Sequence, residues 1–432
     1  MTMTMQTIPF TRLKETLYYE QMPNGLDVYV LPKTGFHKTY ATFSTKYGSI
    51  DNHFQVEGQR EVTVPDGIAH FLEHKMFEEP TGDIFATFAS QGASANAFTS
   101  FDRTVYLFSA TGQIDENLTT LINFVQNPYF TDQNVEKEKG IIGQEINMYR
   151  DNADWRVYFG LIEALYRKHP VRIDIAGTID SIAQITKDTL YECYRTFYHP
   201  SNMSLFVVGG VDPERVLKLV RENQAAKTFA PQGEIKRYFE QEPERVHDPK
   251  KVIELPVSLP KCMFGFKEAV TASEGNELLK RELTTKLAFD ALLGPSSRLY
   301  QDMYDEGLIS DQFGHEYNSN TNYAFSVIGG DTKNPDELVE RVKAGLERAK
   351  AEGIDEVSFE RSKRKKIGGF LRMMNSPEAM AHEFTKYEFK GTSLFEVLDV
   401  YESITLADAN RRLSEHVDFD RFAVSIVRSP AP

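Results

Sequence analysis

Hydrophobic and polar residues alternate near the start of the chain and then repeat at helical intervals. The segments "NGLDVYVLPK" (24–33) and "TYATFSTKYGSID" (39–51) are rich in β-branched and aromatic residues, which predicts strands. Residues 67–77 have a helical spacing, residues 105–110 predict another strand, and three helical patterns follow, at 114–126, 132–150 and 157–166. This mixture predicts an α+β fold in which sheets rich in antiparallel strands pack with helices.

Similar segments recur after a polar, proline-bearing stretch. "YAFSVIGGDTKNPDELVERV" (323–342) is similar to "MSLFVVGGVDPERVLKLV" (203–220), and "IDEVSFERSKRKKIGGFLRMM" (354–374) to "FTDQNVEKEKGIIGQEINMY" (130–149). A repeat of this size predicts two homologous domains. We expect them at residues 1–225 and 250–432, with a linker at 226–249.

The overall charge excludes some classes of partner. The chain carries 63 acidic and 49 basic residues, a formal charge of −14, and has no long basic tract, so neither nucleic acid nor an anionic membrane is an expected partner. We find no apolar run long enough to span a bilayer and no secretion signal. The two cysteines, Cys193 and Cys262, are far apart in sequence, which suits a reducing compartment. We therefore expect a cytoplasmic protein.

The segment "GIAHFLEHKMF" (67–77) places titratable residues in an otherwise apolar helix. His70 and His74 are four residues apart, so both can reach one metal ion from the same helix face, with Glu73 beside them. The order H-x-x-E-H is that of the inverted zinc peptidases, in which the histidines are ligands and the glutamate is the general base. The alternative is a pair of core histidines with ordinary hydrogen-bond partners.

A second predicted helix, at 132–150, carries two carboxylates on its apolar face. That face comprises Glu138, Ile141, Ile142, Glu145, Met148 and Tyr149. Buried carboxylates need a metal, a cation or strong donors. We therefore expect His70, His74 and one of the two glutamates to hold one zinc ion with its fourth position open, while the other glutamate orients a ligand histidine. Spacing leaves the choice between Glu138 and Glu145 open.

Together, "HFLEH" (70–74) and "EKGIIGQE" (138–145) resemble the motif of the pitrilysin and mitochondrial processing peptidase family, H-x-x-E-H followed by E-x6-E. The first domain is most similar to the YmfH-like branch, found in bacilli and their relatives. The resemblance implies that Glu145 is the third zinc ligand and that Glu138 supports catalysis from behind a ligand histidine. It also implies that the two domains close like a clam around a peptide-binding chamber.

The resemblance further assigns substrate binding to residues 92–108. In the family this segment is an edge strand that holds a peptide by β-augmentation. Asn96 and Ala97 then lie where the backbone around the scissile bond is bound. The alternative for Asn96 is an ordinary turn residue.

The chain departs from the family in its C-terminal domain. Family members carry there an arginine and a tyrosine, seven residues apart, that help to hold the substrate carbonyl. In this chain Tyr304 is near the arginine position and Ser310 is at the tyrosine position, which leaves Arg298 and Tyr317 as candidate substitutes. The second domain also lacks a counterpart of the histidine motif, since "LAFDALLG" (287–294) stands there.

We therefore expect a zinc endopeptidase that acts on peptides or unfolded segments. It would be the zinc-bearing subunit of a heterodimer whose homologous partner supplies the Arg/Tyr pair, with a homodimer as the second possibility. The alternative function is that of a non-catalytic scaffold or peptide-binding subunit of the same fold.

Overall fold

The computed structural model describes residues 5–80, 82–269 and 273–430. The chain forms two compact units. The first unit comprises Met1–Ile146, Ile173–Phe239 and Met374–Phe389, and the second comprises Asn147–Arg172, Glu240–Met373 and Lys390–Pro432. The predicted α+β class is confirmed.

Runs of strands and runs of helices follow one another through the described ranges. The strands are β1 Gln6–Phe10, β2 Glu15–Gln21, β3 Asp27–Pro32, β4 Thr39–Thr45, β5 His53–Val56, β6 Glu61–Thr63, β7 Glu78–Glu79, β8 Gly82–Asp83, β9 Ala93–Thr99, β10 Thr104–Ala110, β11 Met203–Gly209, β12 Ile235–Arg237, β13 Lys250–Glu254, β14 Lys261–Phe266, β15 Gly314–Ser319, β16 Ala324–Asp331 and β17 Phe422–Arg428. The α-helices are α1 Ile68–Met76, α2 Ile84–Ser90, α3 Ile114–Val125, α4 Asp132–Asp151, α5 Ala153–Leu165, α6 Ile179–Ala183, α7 Lys187–Phe197, α8 Pro213–Ala225, α9 Gly275–Leu293, α10 Arg298–Asp305, α11 Pro335–Glu352, α12 Glu356–Met373, α13 Pro377–Glu388, α14 Val397–Ser403 and α15 Leu406–His416. None of the described helices combines the length and the hydropathy that a membrane span requires.

The first unit is built on a seven-stranded sheet of order β1-β2-β3-β11-β4-β10-β9. Its neighbouring strands are antiparallel, except that β3 and β11 are parallel. Strand β9 lies at one edge and pairs with β10 in a register that places Ala97 opposite Tyr106. The segment predicted as an edge strand, 92–108, thus covers β9 and most of the interior strand β10.

The second unit repeats this arrangement in a five-stranded sheet of order β13-β17-β14-β16-β15. Only the pair β13–β17 is parallel, so β13, β17, β14, β16 and β15 correspond to β3, β11, β4, β10 and β9. The sequence-based pairing of residues 323–342 with 203–220 is therefore wrong in topology, because β16 corresponds to β10 and not to β11. Any buried strand that leads through glycines to a helix begun by proline produces the same local pattern.

Each unit contains one helix from the other half of the sequence. Helix α5 packs on β17, where a Cβ at Gly160 would lie 2.5 Å from Ser425 Oγ. Helix α13 packs on β11, where the rings of Phe384 and Phe206 stack with centroids 4.1 Å apart. A division of the chain at residues 226–249 therefore does not reproduce the compact units, because apolar contacts place α5 in the second unit and α13 in the first. The boundaries of two homologous halves, 1–225 and 250–432, stay a prediction.

Candidate metal centre

Helix α1 presents both histidines of the H-x-x-E-H segment on one side. It begins after Gly67, whose φ of 86° is left-handed and where a Cβ would lie 2.4 Å from the carbonyl oxygen of Ala176. Eight of its nine residues are buried, so the helix is enclosed by protein on nearly all sides. The imidazole rings of His70 and His74 lie side by side, with centroids 4.5 Å apart.

Glu145 of α4 completes a group of three metal-ligand side chains. Its Oε1 lies 3.6 Å from His70 Nε2 and its Oε2 lies 3.5 Å from His74 Nε2. One ligand atom from each of the three residues lies within 4.8 Å of the others. Ligand atoms around a tetrahedral zinc ion with bonds of 2.0–2.2 Å are separated by about 3.3–3.5 Å. The separations to Glu145 are therefore too long for good hydrogen bonds and suit shared ligation of one zinc ion.

The alternative of an ordinary core histidine does not account for His70. Its Nδ1 is buried and has no hydrogen-bond partner among the residues that the structure describes. Buried polar atoms in folded proteins almost always have such a partner. His70 is therefore not a core histidine with ordinary hydrogen-bond partners, and the fit to a zinc ion rests on the two Nε2 atoms that face Glu145.

The two glutamates of α4 have different surroundings. Glu138 is 7% exposed, and its Oε1 lies 3.2 Å from His74 Nδ1, the ring nitrogen that points away from Glu145. Its Oε2 lies 3.4 Å from Lys75 Nζ. Glu145 thus faces both histidines, whereas Glu138 contacts one histidine from behind. This difference is the one expected if Glu145 is a metal ligand and Glu138 is the acid that orients a ligand histidine.

Burial and neighbouring charges set the protonation of these groups. Burial, together with positive charge on His74, lowers the pKa of His70 to about 3, which keeps its imidazole neutral and able to bind metal. Burial opposes charge on His74 as well, but the hydrogen bond to Glu138 and nearby carboxylates raise its pKa overall. Burial also opposes the charge on Glu138, yet its bonds to His74 and Lys75 lower its pKa overall.

Glu73 lies on the same helix and is tied to the edge strand. It is 7% exposed, and Thr99 Oγ1, at the end of β9, donates a 2.9 Å hydrogen bond to its Oε2. Burial raises the pKa of Glu73 despite the opposing effects of His74 and Thr99. No sequence motif identifies Thr99 as a site residue. Strand alternation alone indicates it, because it places Thr99 on the same face of the strand as Ala97.

Both residues assigned to substrate binding lie in β9 itself. The turn alternative for Asn96 is wrong, because Asn96 pairs with Leu107 within the sheet. Its exposed side chain accepts a 2.9 Å hydrogen bond from the backbone N–H of Ala97 through Oδ1. Apart from Phe98, β9 carries small and polar side chains, and it is the last strand of the seven-stranded sheet.

Neither candidate substitute for the Arg/Tyr pair is well suited to the role. Arg298 lies on α10 with 91% of its side chain exposed, 3.7 Å from Asp302. Tyr317 is only 3% exposed and accepts a 3.2 Å hydrogen bond from Arg412 Nη2, so it is a core residue of the second unit. Tyr304, near the family's arginine position, is half exposed on α10.

Comparison with known proteins now identifies the family. A family model described as insulinase, peptidase family M16, matches residues 60–179, and one described as peptidase M16 inactive domain matches residues 184–366. The chain is 56% identical over 418 residues to the uncharacterized zinc protease YmfH of Bacillus subtilis (strain 168), which covers 96% of this chain and 97% of that protein. The chain belongs to peptidase family M16. The resemblance inferred from the two motifs is confirmed.

Solved structures agree with this assignment. An M16-like peptidase from Alicyclobacillus acidocaldarius superposes with a TM-score of 0.93 at 40% identity, covering 100% of this chain and 99% of that one. A peptidase M16 inactive domain from Pseudomonas fluorescens, with a TM-score of 0.79 and 16% identity over 96% of this chain and 98% of that one, supports the fold alone. The candidate metal centre lies entirely within the range matched by the first M16 model.

Proposed function

We propose that this M16 chain is a zinc-dependent endopeptidase that acts on peptides or unfolded segments. The observation that carries the proposal is the convergence of His70, His74 and Glu145, with the buried Glu73 beside them. Three protein ligands leave a fourth position open, which is typical of catalytic rather than structural zinc sites.

The residues divide into ligands and supporting groups. His70, His74 and Glu145 would hold one zinc ion, and Glu138 would keep His74 in the required orientation through Nδ1. When bound, zinc supplies a Lewis acid that polarises the scissile carbonyl and lowers the pKa of water to about 7.

Glu73 would move the proton in both halves of the reaction. Thr99 occupies its Oε2, while Oε1 has no hydrogen-bond partner in the described part of the chain. Oε1 accepts a proton from the attacking water and later returns it to the leaving amine. Burial raises the pKa of Glu73, which makes its carboxylate a stronger base for this exchange.

The substrate would bind as an added strand along β9, at Asn96 and Ala97. An incoming peptide backbone competes with the Asn96 side chain for the Ala97 N–H. Thr99 links this strand to the general base, so that a peptide paired with β9 lies near Glu73. Recognition through the backbone selects extended, unfolded chain more than one particular sequence.

The direct test is Glu73→Gln, measured for zinc content and for cleavage of an unstructured fluorogenic peptide. The variant should retain zinc and lose cleavage, because the amide cannot accept the proton from water. The exposed Glu116→Gln serves as the matched control and should change neither. Loss of zinc together with activity would instead make Glu73 a ligand.

A homologous subunit would complete the enzyme. The basis is the absence of the family's Arg/Tyr pair at Tyr304 and Ser310, and the burial of Tyr317. Affinity capture of Glu73→Gln protein from the cytosol of its source should recover a homologue that carries the pair, with peptides bound. Full activity of the purified chain, verified as a monomer or homodimer, would contradict this proposal.

A non-catalytic scaffold or peptide-binding subunit is the second candidate. The support for this second candidate is that residues 184–366 match a domain described as inactive. Metal analysis of protein prepared without chelators separates the two functions. A chain that contains no zinc and cleaves no peptide with its partner present would support the scaffold.

A further inference from the structure

Lys75 follows directly after His74 and is completely enclosed. Its side chain is 0% exposed, although it carries an ammonium group at the end of a long stem. Enclosing a charge is unfavourable unless the charge is paired and hydrogen-bonded, so its partners indicate why a lysine stands there.

Two carboxylates surround the Lys75 ammonium. Nζ forms a close ion pair with Glu78, three residues further along the chain in β7, and lies 3.4 Å from Glu138 Oε2. The other oxygen of Glu138 contacts His74 Nδ1 at 3.2 Å. Each oxygen of Glu138 is therefore held by a different residue of the same short stretch, Lys75 on one side and His74 on the other.

These contacts of Glu138 bear on which of the two glutamates is the third zinc ligand, a question that sequence spacing alone leaves open. Glu138 and Glu145 are seven residues apart on one helix, so they point in nearly the same direction. Glu145 faces the two histidine Nε2 atoms, whereas Glu138 is held away from them by contacts at both of its oxygens.

We propose that Lys75 is a positioning residue: it holds the Glu138 carboxylate against His74 Nδ1 and thereby fixes His74 as a ligand and leaves the third ligand position to Glu145. The inference rests on the proposed zinc site. Lys75 itself would touch neither metal nor substrate.

A second enclosed lysine provides a matched control. Lys267, in the second unit, is 1% exposed and donates to Glu242 Oε1 at 2.9 Å and to the carbonyl oxygens of Pro243 and Arg245 at 2.7 and 2.9 Å. It anchors a loop and contacts none of the proposed ligands. Lys267→Met thus reports the general effect of removing an enclosed lysine.

The test is a double-mutant cycle of Lys75→Met and Glu138→Gln, with the zinc dissociation constant measured by chelator competition and the stability of the metal-free protein measured by urea unfolding. Each single variant should weaken zinc binding by about 10-fold, and the double variant by little more, because both remove the same orientation of His74. Lys267→Met should change stability and leave zinc affinity unchanged.

The direction of the change in zinc affinity distinguishes a positioning role of Lys75 from a purely electrostatic one. Removing a positive charge near a cation site would by itself strengthen zinc binding. Unchanged or tighter binding in Lys75→Met, or fully additive effects in the double variant, would overturn the inference. Lys75→Gln, which keeps hydrogen-bond donors, replaces the methionine variant if that variant does not fold, and the same criteria apply.

Failure of this inference is distinguishable from failure of the proposed function. If the unmodified chain binds no zinc, or if Glu145→Ala binds it equally well, the zinc site itself is wrong. If the unmodified chain binds one zinc ion and Lys75→Met binds it equally tightly, only the role of Lys75 is wrong.

Discussion

In the first unit, helices α1 and α4 bring two histidines and a carboxylate together near edge strand β9. In the second unit, the corresponding helices α9 and α12 bring Asp290 together with Lys365 and Lys366 near edge strand β15. Asp290 Oδ1 lies 2.8 Å from Lys365 Nζ, 3.5 Å from Lys366 Nζ and 3.9 Å from the Nε2 of His315 on β15. One arrangement of strands and helices thus supports a candidate metal centre in one unit and an ion-pair cluster in the other.

The two helices can be matched residue by residue. Val135, Glu138, Ile142 and Ile146 of α4 have the same spacing as Phe359, Ser362, Lys366 and Phe370 of α12. Glu145 then corresponds to Gly369, which has no side chain to offer a ligand. In the second unit the ammonium groups of Lys365 and Lys366 neutralise the buried carboxylate. In the first unit the proposed zinc ion would take that role.

The largest expected difference between the units concerns metal content. Glu145→Ala should lose zinc more severely than the roughly 10- to 100-fold weakening typical of a lost supporting group. Asp290→Ala should retain one zinc ion per chain, because its cluster needs no metal. Metal analysis of both variants tests the comparison, and equal zinc loss would show that the two sites are not independent.

Asp290→Ala, which should retain zinc, should instead reduce the stability of the protein. Asp290 is 3% exposed, but Lys365 and Lys366 have side-chain exposures of 52% and 26%, so solvent recovers part of the lost pairing. Asp290→Ala should lower the free energy of unfolding by about 1–3 kcal/mol. Urea unfolding of the metal-free protein measures this, with the exposed Glu116→Ala as control. An unchanged midpoint would mean that the cluster contributes no net stability.

The smallest expected effect is a dependence on pH. Burial, with the charge of Lys366, lowers the pKa of His315 to about 4, whereas an unfolded chain has the ordinary value of about 6.5. The unfolded state therefore binds a proton first as pH falls, and stability is lost between about pH 6.5 and 4. The loss at pH 5.5 is about 1 kcal/mol.

His315→Gln should flatten this part of the stability profile relative to the unmodified chain. The exposed His37→Gln is the control and should follow the unmodified profile. Parallel profiles for all three proteins between pH 4 and 6.5 would show that His315 is not the group that titrates on unfolding.

The buried face of α4 and the placement of α5 and α13 both depend on packing that a local sequence pattern does not encode. Helical spacing predicts Ile141 and Met148 on the apolar face of α4, yet they are 46% and 58% exposed. Helical spacing identifies residues that point in similar directions, but the width of the buried stripe depends on what packs against the helix. The exchange of α5 and α13 between units escaped prediction for the same reason, since both helices look alike in sequence whichever sheet they cover.

The sequence by itself determined the features that depend on local geometry. Four-residue spacing on a helix places His70 beside His74, and strand alternation defines β9, because both follow from the repeat of the backbone. Tertiary structure decided which glutamate faces the histidines, that Thr99 binds Glu73, and that Lys75 is enclosed. These contacts join α1 to residues more than twenty positions away in sequence, and only the packing of whole helices and strands brings such residues together.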